Sequence, residues 1–472
     1  MIPLARAPFL PVLAGLTMML ALSSRAAPWV LPWIALLTTA GVLLCSFSID
    51  LKGQWRVAAL TLVLSFLFAS WLAFSLNRRP DVPASVSAIG TVFQTRPWGR
   101  FYLAAVETPQ GSFILRTPHE NLTDGDRVRV EGALRPFDGA PHLPGDSPSG
   151  FHAGRYWLAR GVTAEITSPR FERLPDKGWN IHRWRHELRR LLVIHTPRLT
   201  GAYLDAAWTG RRDAELENAH RVWGTSHLLA ISGFHVGVVM GAASFVFRRG
   251  RASWLTFLLW FYVLLTGASV GALRAALMIQ VALLGELFGR PASAVNSVSL
   301  AAVLLLSLSP FWFWDVGWRL SILGAFTIAV YLERGSTRGL GWLCVSPLIG
   351  FVTFPQAAGT FGSVPAAGLP INLVAPPFFG FALSIASGVA LLALLGVPGA
   401  ALLLNAVEGV FLLWGVLADA VARLVPWQVE WNFYLAYVCV FFSAMSLCRA
   451  FFIPWVNTAA LTSLAALVYF CA

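Results

Sequence analysis

The sequence predicts a polytopic α-helical membrane protein with a small OB-like β-barrel inserted after its first helices. Three observations carry this reading. Of 472 residues, 57% are hydrophobic and only 12% are charged, about half the charge of an ordinary soluble domain. Many apolar runs approach the roughly 20 residues that cross a bilayer as a helix. Between residues 77 and 175 those runs stop, and short alternating segments bounded by turn residues replace them.

Residues 1–76 hold three apolar segments, 9–22, 27–47 and 55–76, read as N-terminal transmembrane helices. The first is short and follows Arg6, as a signal peptide would. The spans that follow at once favour a first membrane helix.

Residues 77–175 read as an extracytoplasmic barrel. Period-two alternation predicts strands at Ser87–Thr95, Arg100–Glu107, Ser112–Arg116, Arg127–Leu134 and Gly161–Thr167. Pro97-Trp98-Gly99, Pro109-Gln110-Gly111 and Asp124-Gly125-Asp126 separate them as turns. Five short strands suit an OB-type barrel, a fold that can bind single-stranded nucleic acid on aromatic platforms. Phe93, Trp98, Phe101, Tyr102 and Phe113 are either such platforms or barrel core.

Residues 176–225 form an interfacial helix and a lead-in. Over 178–199, Trp184, Leu188, Leu191 and Leu192 share a face, with Arg183, Arg185, Arg189 and Arg190 around it. That pattern predicts a helix lying on a membrane surface, with phosphate contact as the other use of the arginines.

Residues 226–472 are membrane again. Spans are expected near 226–247, 253–267, 269–288, 293–309, 318–332, 340–357, 371–396, 400–423, 432–448 and 451–470. Six prolines make 345–380 irregular (Pro347, Pro355, Pro365, Pro370, Pro376 and Pro377). Irregular backbone at membrane depth must be buried in protein or face a water-filled cavity. Lys52, Arg56, Arg248, Arg249, Arg251, Arg290, Arg334, Arg338 and Arg449 fall in loops on one side of these spans. That side is expected to be cytoplasmic, with the N-terminus on it and the barrel outside. The net charge of +12 reflects these loops, or else a polyanionic partner. Cys45, Cys344, Cys439, Cys448 and Cys471 lie in apolar segments without a CxxC pair, and read as small buried hydrophobes.

Polar groups inside the apolar helices are the candidate functional residues. His227, Ser232 and His235 stand beside Gly233, Gly237 and Gly241, which recur every four residues and would let a second helix approach closely. The two histidines lack the spacing of a metal pair, so they line a polar cavity or make helix contacts. Arg274 sits inside an apolar span beside a second small-residue stripe of Gly267, Gly271 and Ala275. A guanidinium at membrane depth costs at least roughly 2.5 kcal/mol. Arg274 therefore lines the cavity or snorkels to the interface. Arg319, Asp315, Glu286 and Asn372 lie near span ends as anchors or further lining groups. There is no phosphate-binding Walker sequence, and the last histidine is His235. No enzymatic activity, cofactor or metal site is expected.

The run Thr225-Ser226-His227-Leu228-Leu229-Ala230-Ile231-Ser232-Gly233-Phe234-His235-Val236-Gly237 resembles the signature of the ComEC family of competence proteins, inner-membrane DNA-uptake channels. Thr209–Arg212 and Glu217–Trp223 resemble its lead-in. Leu273–Met278, Gly289-Arg290, Trp318–Ser321 and Leu369–Leu373 resemble later segments in the same order. Phe151 with Tyr156–Val162 resembles the end of its barrel. The resemblance implies a channel that passes single-stranded DNA across a bacterial cytoplasmic membrane during natural transformation. It implies as partners an external DNA receptor, a cytoplasmic helicase or single-strand-binding proteins, and possible self-association. Many members also carry a metallo-β-lactamase-like domain; this sequence is expected to lack it, leaving strand degradation to a separate nuclease. The family's barrel can hold a disulfide, but residues 77–225 contain no cysteine. A secondary transporter of a small solute, or an envelope assembly factor without transport, are the other functions the composition allows.

Overall fold

The computed structural model describes residues 7–23, 26–46, 55–77, 82–98, 101–118, 122–137, 153–175, 180–229, 233–246, 251–289, 293–333 and 343–450. Three apolar helices open the chain: α1 (Phe9–Ala21), α2 (Leu31–Ser46) and α3 (Trp55–Asn77). Hydroxyl groups on these helices turn back to helix carbonyls or to one another, as at Thr38, Thr39 and Thr61. Thr39 Oγ1 lies 2.8 Å from its own helix carbonyl at Ala35 and 2.7 Å from Ser65 Oγ, which ties α2 to α3.

The next segment folds as the alternation predicts. Strands β1 (Ser85–Trp98), β2 (Phe101–Thr108), β3 (Gly111–Thr117) and β4 (Arg127–Pro136) are followed by a short helix, α4 (Ala153–Leu158), and β5 (Val162–Arg173). They close into a barrel of order β1-β2-β3-β5-β4 in which only the β3–β5 pair is parallel. Closure leaves no free edge. Val92, Val106, Phe113, Leu115, Val128 and Val130 fill the interior. Phe113 is therefore core and not a platform, because it falls on the inward register of β3. Phe101 is exposed, and the Trp98 side chain lies outside the described residues.

Helices α5 (Ile181–His195), α6 (Arg198–Trp208) and α7 (Ala214–Val222) follow. Two arginines of α5 turn inward with Leu192. The helix's buried residues are Arg185, Arg189 and Leu192, while Val193 and Ile194 are exposed. The arginines turn inward because Asp124, Asp205 and Thr209 supply acceptors there. Trp184 stays on the outer side, edge-on to Phe261 at 6.3 Å. The lead-in is also no loose connector. The backbone amides of Leu199 and Thr200 at the start of α6 donate to Glu408 at 2.9 and 2.6 Å. Two unsatisfied helix-start donors thus meet a carboxylate inside an apolar helix.

The remaining elements are α8 (Gly233–Val246), α9 (Arg251–Leu265), α10 (Val270–Leu287), α11 (Ala294–Leu308), α12 (Val316–Glu333), α13 (Val345–Phe361), β6 (Ser363–Pro365), α14 (Gly368–Leu394), α15 (Ala400–Leu424), β7 (Gln428–Glu430) and α16 (Phe433–Ala450). The stretches Trp55–Leu76, Val316–Glu333, Gly368–Leu394 and Ala400–Leu424 are long and apolar enough to cross a membrane. The chain is a membrane protein with an inserted small barrel. The span expected at 226–247 begins later, since Ser226–Leu228 is a 3-10 turn and α8 starts at Gly233. The proline-rich stretch is mostly helical, with Pro355 inside α13 and Pro376 and Pro377 inside α14. Its one described break, at Gly362–Ala367, carries β6, which pairs with β7. The span expected at 451–470 lies outside the described residues, as do most of the basic loop residues. Cys439 is buried, but Cys344, read as a buried hydrophobe, is exposed.

Packing divides the helices into three apolar clusters. One joins α1–α3 to α11 and α12, a second joins α6, α7, α14 and α15, and a third joins α8, α9 and α10. The space between them is the cavity described next.

Candidate functional site

A cavity of about 3000 Å³ begins beneath the barrel and runs down between the helices. Its two ends differ in chemistry. The barrel end is lined by Arg160, Arg185, Arg189, Arg211, Arg212, Arg221 and Arg274, with His182 and His227, against Asp124, Glu217 and Asp315. The deep end is lined by Ala282, Ile328, Ala329, Leu332, Val345 and Phe354, with Ser346 and Thr353 among them. The lining of α13 extends from Val345 to Phe361, about 24 Å at 1.5 Å per residue. That is most of a ~30 Å hydrocarbon core. An arginine-rich vestibule thus opens onto an apolar bore.

Two ion pairs hold the barrel over this vestibule. Arg189 Nη1 donates to Asp124 Oδ2 of the barrel at 3.0 Å, and Arg189 Nε lies 3.4 Å from Asp205 Oδ1. Gly125 permits this docking. Its φ is +94°, and a Cβ there would lie 2.5 Å from the Arg183 amide nitrogen. On the other side Arg160 Nη1 donates to Asp315 Oδ2 at 3.1 Å, and its guanidinium lies 3.4 Å over the Tyr156 ring. Asp315 Oδ1 also accepts the Trp318 amide at 2.8 Å, which starts α12. Trp312 Nε1 donates to the Ala159 carbonyl at 2.5 Å beside it.

The histidine-bearing segment is clamped from behind. His220 Nε2 lies 2.9 Å from Tyr203 OH, and its Nδ1 lies 2.8 Å from Thr225 Oγ1. Burial pushes this imidazole down to about 4. Trp223 Nε1 donates to Asp419 Oδ1 at 2.7 Å, and Asn372 Nδ2 donates to the Gly224 carbonyl at 3.1 Å.

These contacts lie largely within one recognisable stretch. A sequence profile described as "Competence protein" matches residues 208–457. The chain belongs to the competence protein family. It is also similar to "ComE operon protein 3" of Bacillus subtilis (strain 168), with 31% identity over 191 residues, 38% of this chain and 25% of the relative. The chain thus aligns with about a quarter of that relative's length. No solved structure matches.

Against the competence-family signature, the structure distributes the expected residues unevenly. His227, Arg274 and Asn372 line the cavity. His227 is solvent-accessible there although protein surrounds it. Arg274 is buried and does not snorkel to lipid; its Nη1 donates to the Gly317 carbonyl at 3.0 Å. Ser232 and the His235 side chain lie outside the described residues. His227 sits in the 3-10 turn Ser226–Leu228, ahead of α8, which carries the backbone of His235. Arg319 does not line the cavity: its Nε donates to the Phe313 carbonyl at 2.6 Å and its guanidinium stacks 4.8 Å over that ring. Gly237 and Gly241 face open space, with nothing within 4 Å of an added Cβ. Among the described residues, Val236 and Met240 of α8 share an apolar cluster with Ala272, Ala275 and Ala276 of α10. Gly267 and Gly271 border the cavity.

Sequence reasoning missed Arg185, Arg189, Asp124, Arg160, Tyr203 and His220 as members of one site. The Arg185–Arg189 spacing of four was a signal, but its inward direction depends on acceptors far along the chain. Glu408, an acid inside an apolar helix, was also readable as a group needing a partner.

Proposed function

We propose that this chain acts in DNA uptake during natural transformation, passing single-stranded DNA across the bacterial cytoplasmic membrane as a channel and not as an enzyme. The observation that carries the reading is the cavity that leads from an arginine-rich vestibule below the barrel into an apolar bore between α10, α12 and α13. A polyanion entering from outside meets cations first. Among the described residues, the apolar bore then offers no competing charges to hold it. Membership of the competence protein family supports the same reading.

The volume of about 3000 Å³ also argues against a small-solute transporter, whose pockets span roughly 300–1,000 Å³. In this reading the barrel lies outside the cytoplasmic membrane and the N-terminus inside. An external receptor delivers DNA, a helicase or single-strand-binding proteins draw it in, and a separate nuclease removes the other strand. Self-association of the chain is compatible with its exposed α14 and α15 faces. The test is uptake of labelled DNA by a competent host with the gene deleted. DNA should still bind outside the cell but stop entering the cytoplasm. Normal transformation in that strain would overturn the reading.

A further inference from the structure

One corner of the vestibule has features that a general polyanion path does not require. Arg185 and Arg274 are only 8% and 6% exposed, and both border the cavity. Each carries five donors. Arg185 Nη2 donates to the Thr209 carbonyl at 2.7 Å, and Arg274 Nη1 to the Gly317 carbonyl at 3.0 Å. Among the described residues, neither Nε finds an acceptor. Both groups therefore rest on neutral carbonyls where a buried guanidinium calls for an anion.

The backbone between them is shaped around the same point. Gly267, at φ +70°, lies so close to Arg185 that a Cβ would stand 2.5 Å from its Nη1. Ala268 follows at φ +51°, a conformation that residues other than glycine rarely adopt. These two residues turn the chain sharply into α10. The Ser269 side chain accepts from the Ala272 amide at 3.3 Å. The first-turn amides of Val270 and Gly271 are left without a helical acceptor, at the positive end of an 18-residue helix. Gly271 places no side chain between them and the cavity. Arg274 leaves the same helix about 6 Å further along its axis. The carboxylates nearby are occupied: Asp315 by Arg160 and the Trp318 amide, Asp124 and Asp205 by Arg189.

The geometry points to an oxyanion site at the N-terminus of α10, where Arg185, Arg274 and the amides of Val270 and Gly271 hold one phosphodiester group of a single strand. Two guanidinium groups and a helix end bordering one cavity supply the kinds of donor a tetrahedral oxyanion takes. The assignment rests on the reading of the cavity as a DNA path, and it adds a fixed station within that path.

The test uses the full chain in phosphatidylcholine nanodiscs and a short fluorescent single-stranded oligonucleotide, titrated across a salt series. Arg185→Gln and Arg274→Gln should each weaken binding about tenfold, the loss of one charge-assisted contact. Each should also make the slope of log affinity against log salt shallower by about 0.7, one phosphate contact on a single strand. Arg185→Lys and Arg274→Lys should keep the slope. Arg170→Gln, an exposed barrel position away from the cavity, should change neither quantity.

Hydrogen exchange on the unaltered chain covers the case in which a glutamine variant does not fold. The amides of 270–271 should slow with the phosphodiester oligonucleotide and not with its uncharged methylphosphonate analogue. Unchanged affinity and slope in folded variants, or no slowing at 270–271, overturns the station while leaving the DNA path standing. Slowing produced by adding phosphatidylglycerol without oligonucleotide overturns the nucleic-acid assignment in favour of lipid headgroups. No oligonucleotide binding at all, together with DNA uptake in the deletion strain, overturns the underlying reading itself.

Discussion

Arg189 of α5 and Asp124 of the barrel meet at 3.0 Å with both side chains buried, and this pair holds the barrel to the helical domain. Removing one partner leaves a buried charge uncompensated, which costs roughly 3–5 kcal/mol. Asp124→Ala should therefore lower the melting temperature of the purified protein and expose the barrel to protease. Asp124→Leu combined with Arg189→Met should lose less than the sum of the two single losses, because each single variant strands the other's charge, although Asp205 and the Thr95 amide still lose a partner. Strict additivity of the two single losses in the double variant would contradict the pairing.

His220 sets a pH dependence. Its ring packs against Tyr203, Trp223 and Phe379, and burial lowers its pKa from 6.5 to about 4. The folded chain keeps the ring neutral where the unfolded chain already takes up a proton. Stability is therefore complete above about pH 6.5 and is lost as pH falls from 6.5 towards 4, by about 3 kcal/mol in all. Denaturation midpoints measured across that window should fall with pH. In His220→Gln the slope should flatten, though at lower stability throughout, since Gln cannot reproduce both contacts to Tyr203 and Thr225.

Two barrel phenylalanines should separate cleanly. Phe113 is fully buried and Phe101 is 46% exposed. Phe113→Ala should destabilise the barrel by about 3–5 kcal/mol, the usual result of emptying a core aromatic site. Phe101→Ala should leave the fold intact. If Phe101 stacks on incoming DNA, the substitution should weaken single-strand binding by about 1–3 kcal/mol. Equal melting temperatures for the two variants would count against this division.

Gly224 supports the segment that carries His227. Its φ is +68°, and an added Cβ would lie 2.9 Å from the Gly368 Cα at the start of α14. Gly224→Ala should cost roughly 1–3 kcal/mol from backbone strain, with further loss from the clash. The expected result is reduced DNA uptake at a reduced membrane level, since the same shift breaks the Asn372 contact to the Gly224 carbonyl. Normal level with lost uptake would instead make Gly224 part of the path.

Local pattern made much of this molecule legible. Alternation over Arg127–Leu134 predicted β4, and uninterrupted apolar runs predicted α3, α14 and α15. In the glycine stripe of α8, Gly237 and Gly241 face open space, because spacing states that a helix could approach and not that one does. The prolines of 345–380 divide: Pro365 lies in the break that borders the cavity, as expected of irregular backbone at depth. Pro355, Pro376 and Pro377 sit inside helices, where neighbouring helices offset the lost hydrogen bonds.

Arg274 marks the boundary between what the two kinds of information can supply. A charge within an apolar run is visible from sequence alone, and so is its need for a partner. The sequence by itself determined the membrane class, the inserted barrel and the family, because each depends on periodicity or on a contiguous motif. Only the tertiary structure decided that Arg274 meets Gly317, that Arg189 meets Asp124 and that Arg185 rests on Gly267. Those partners lie tens of residues apart along the chain. Which way a buried charge points is settled by where the acceptors are, and folding alone brings them together.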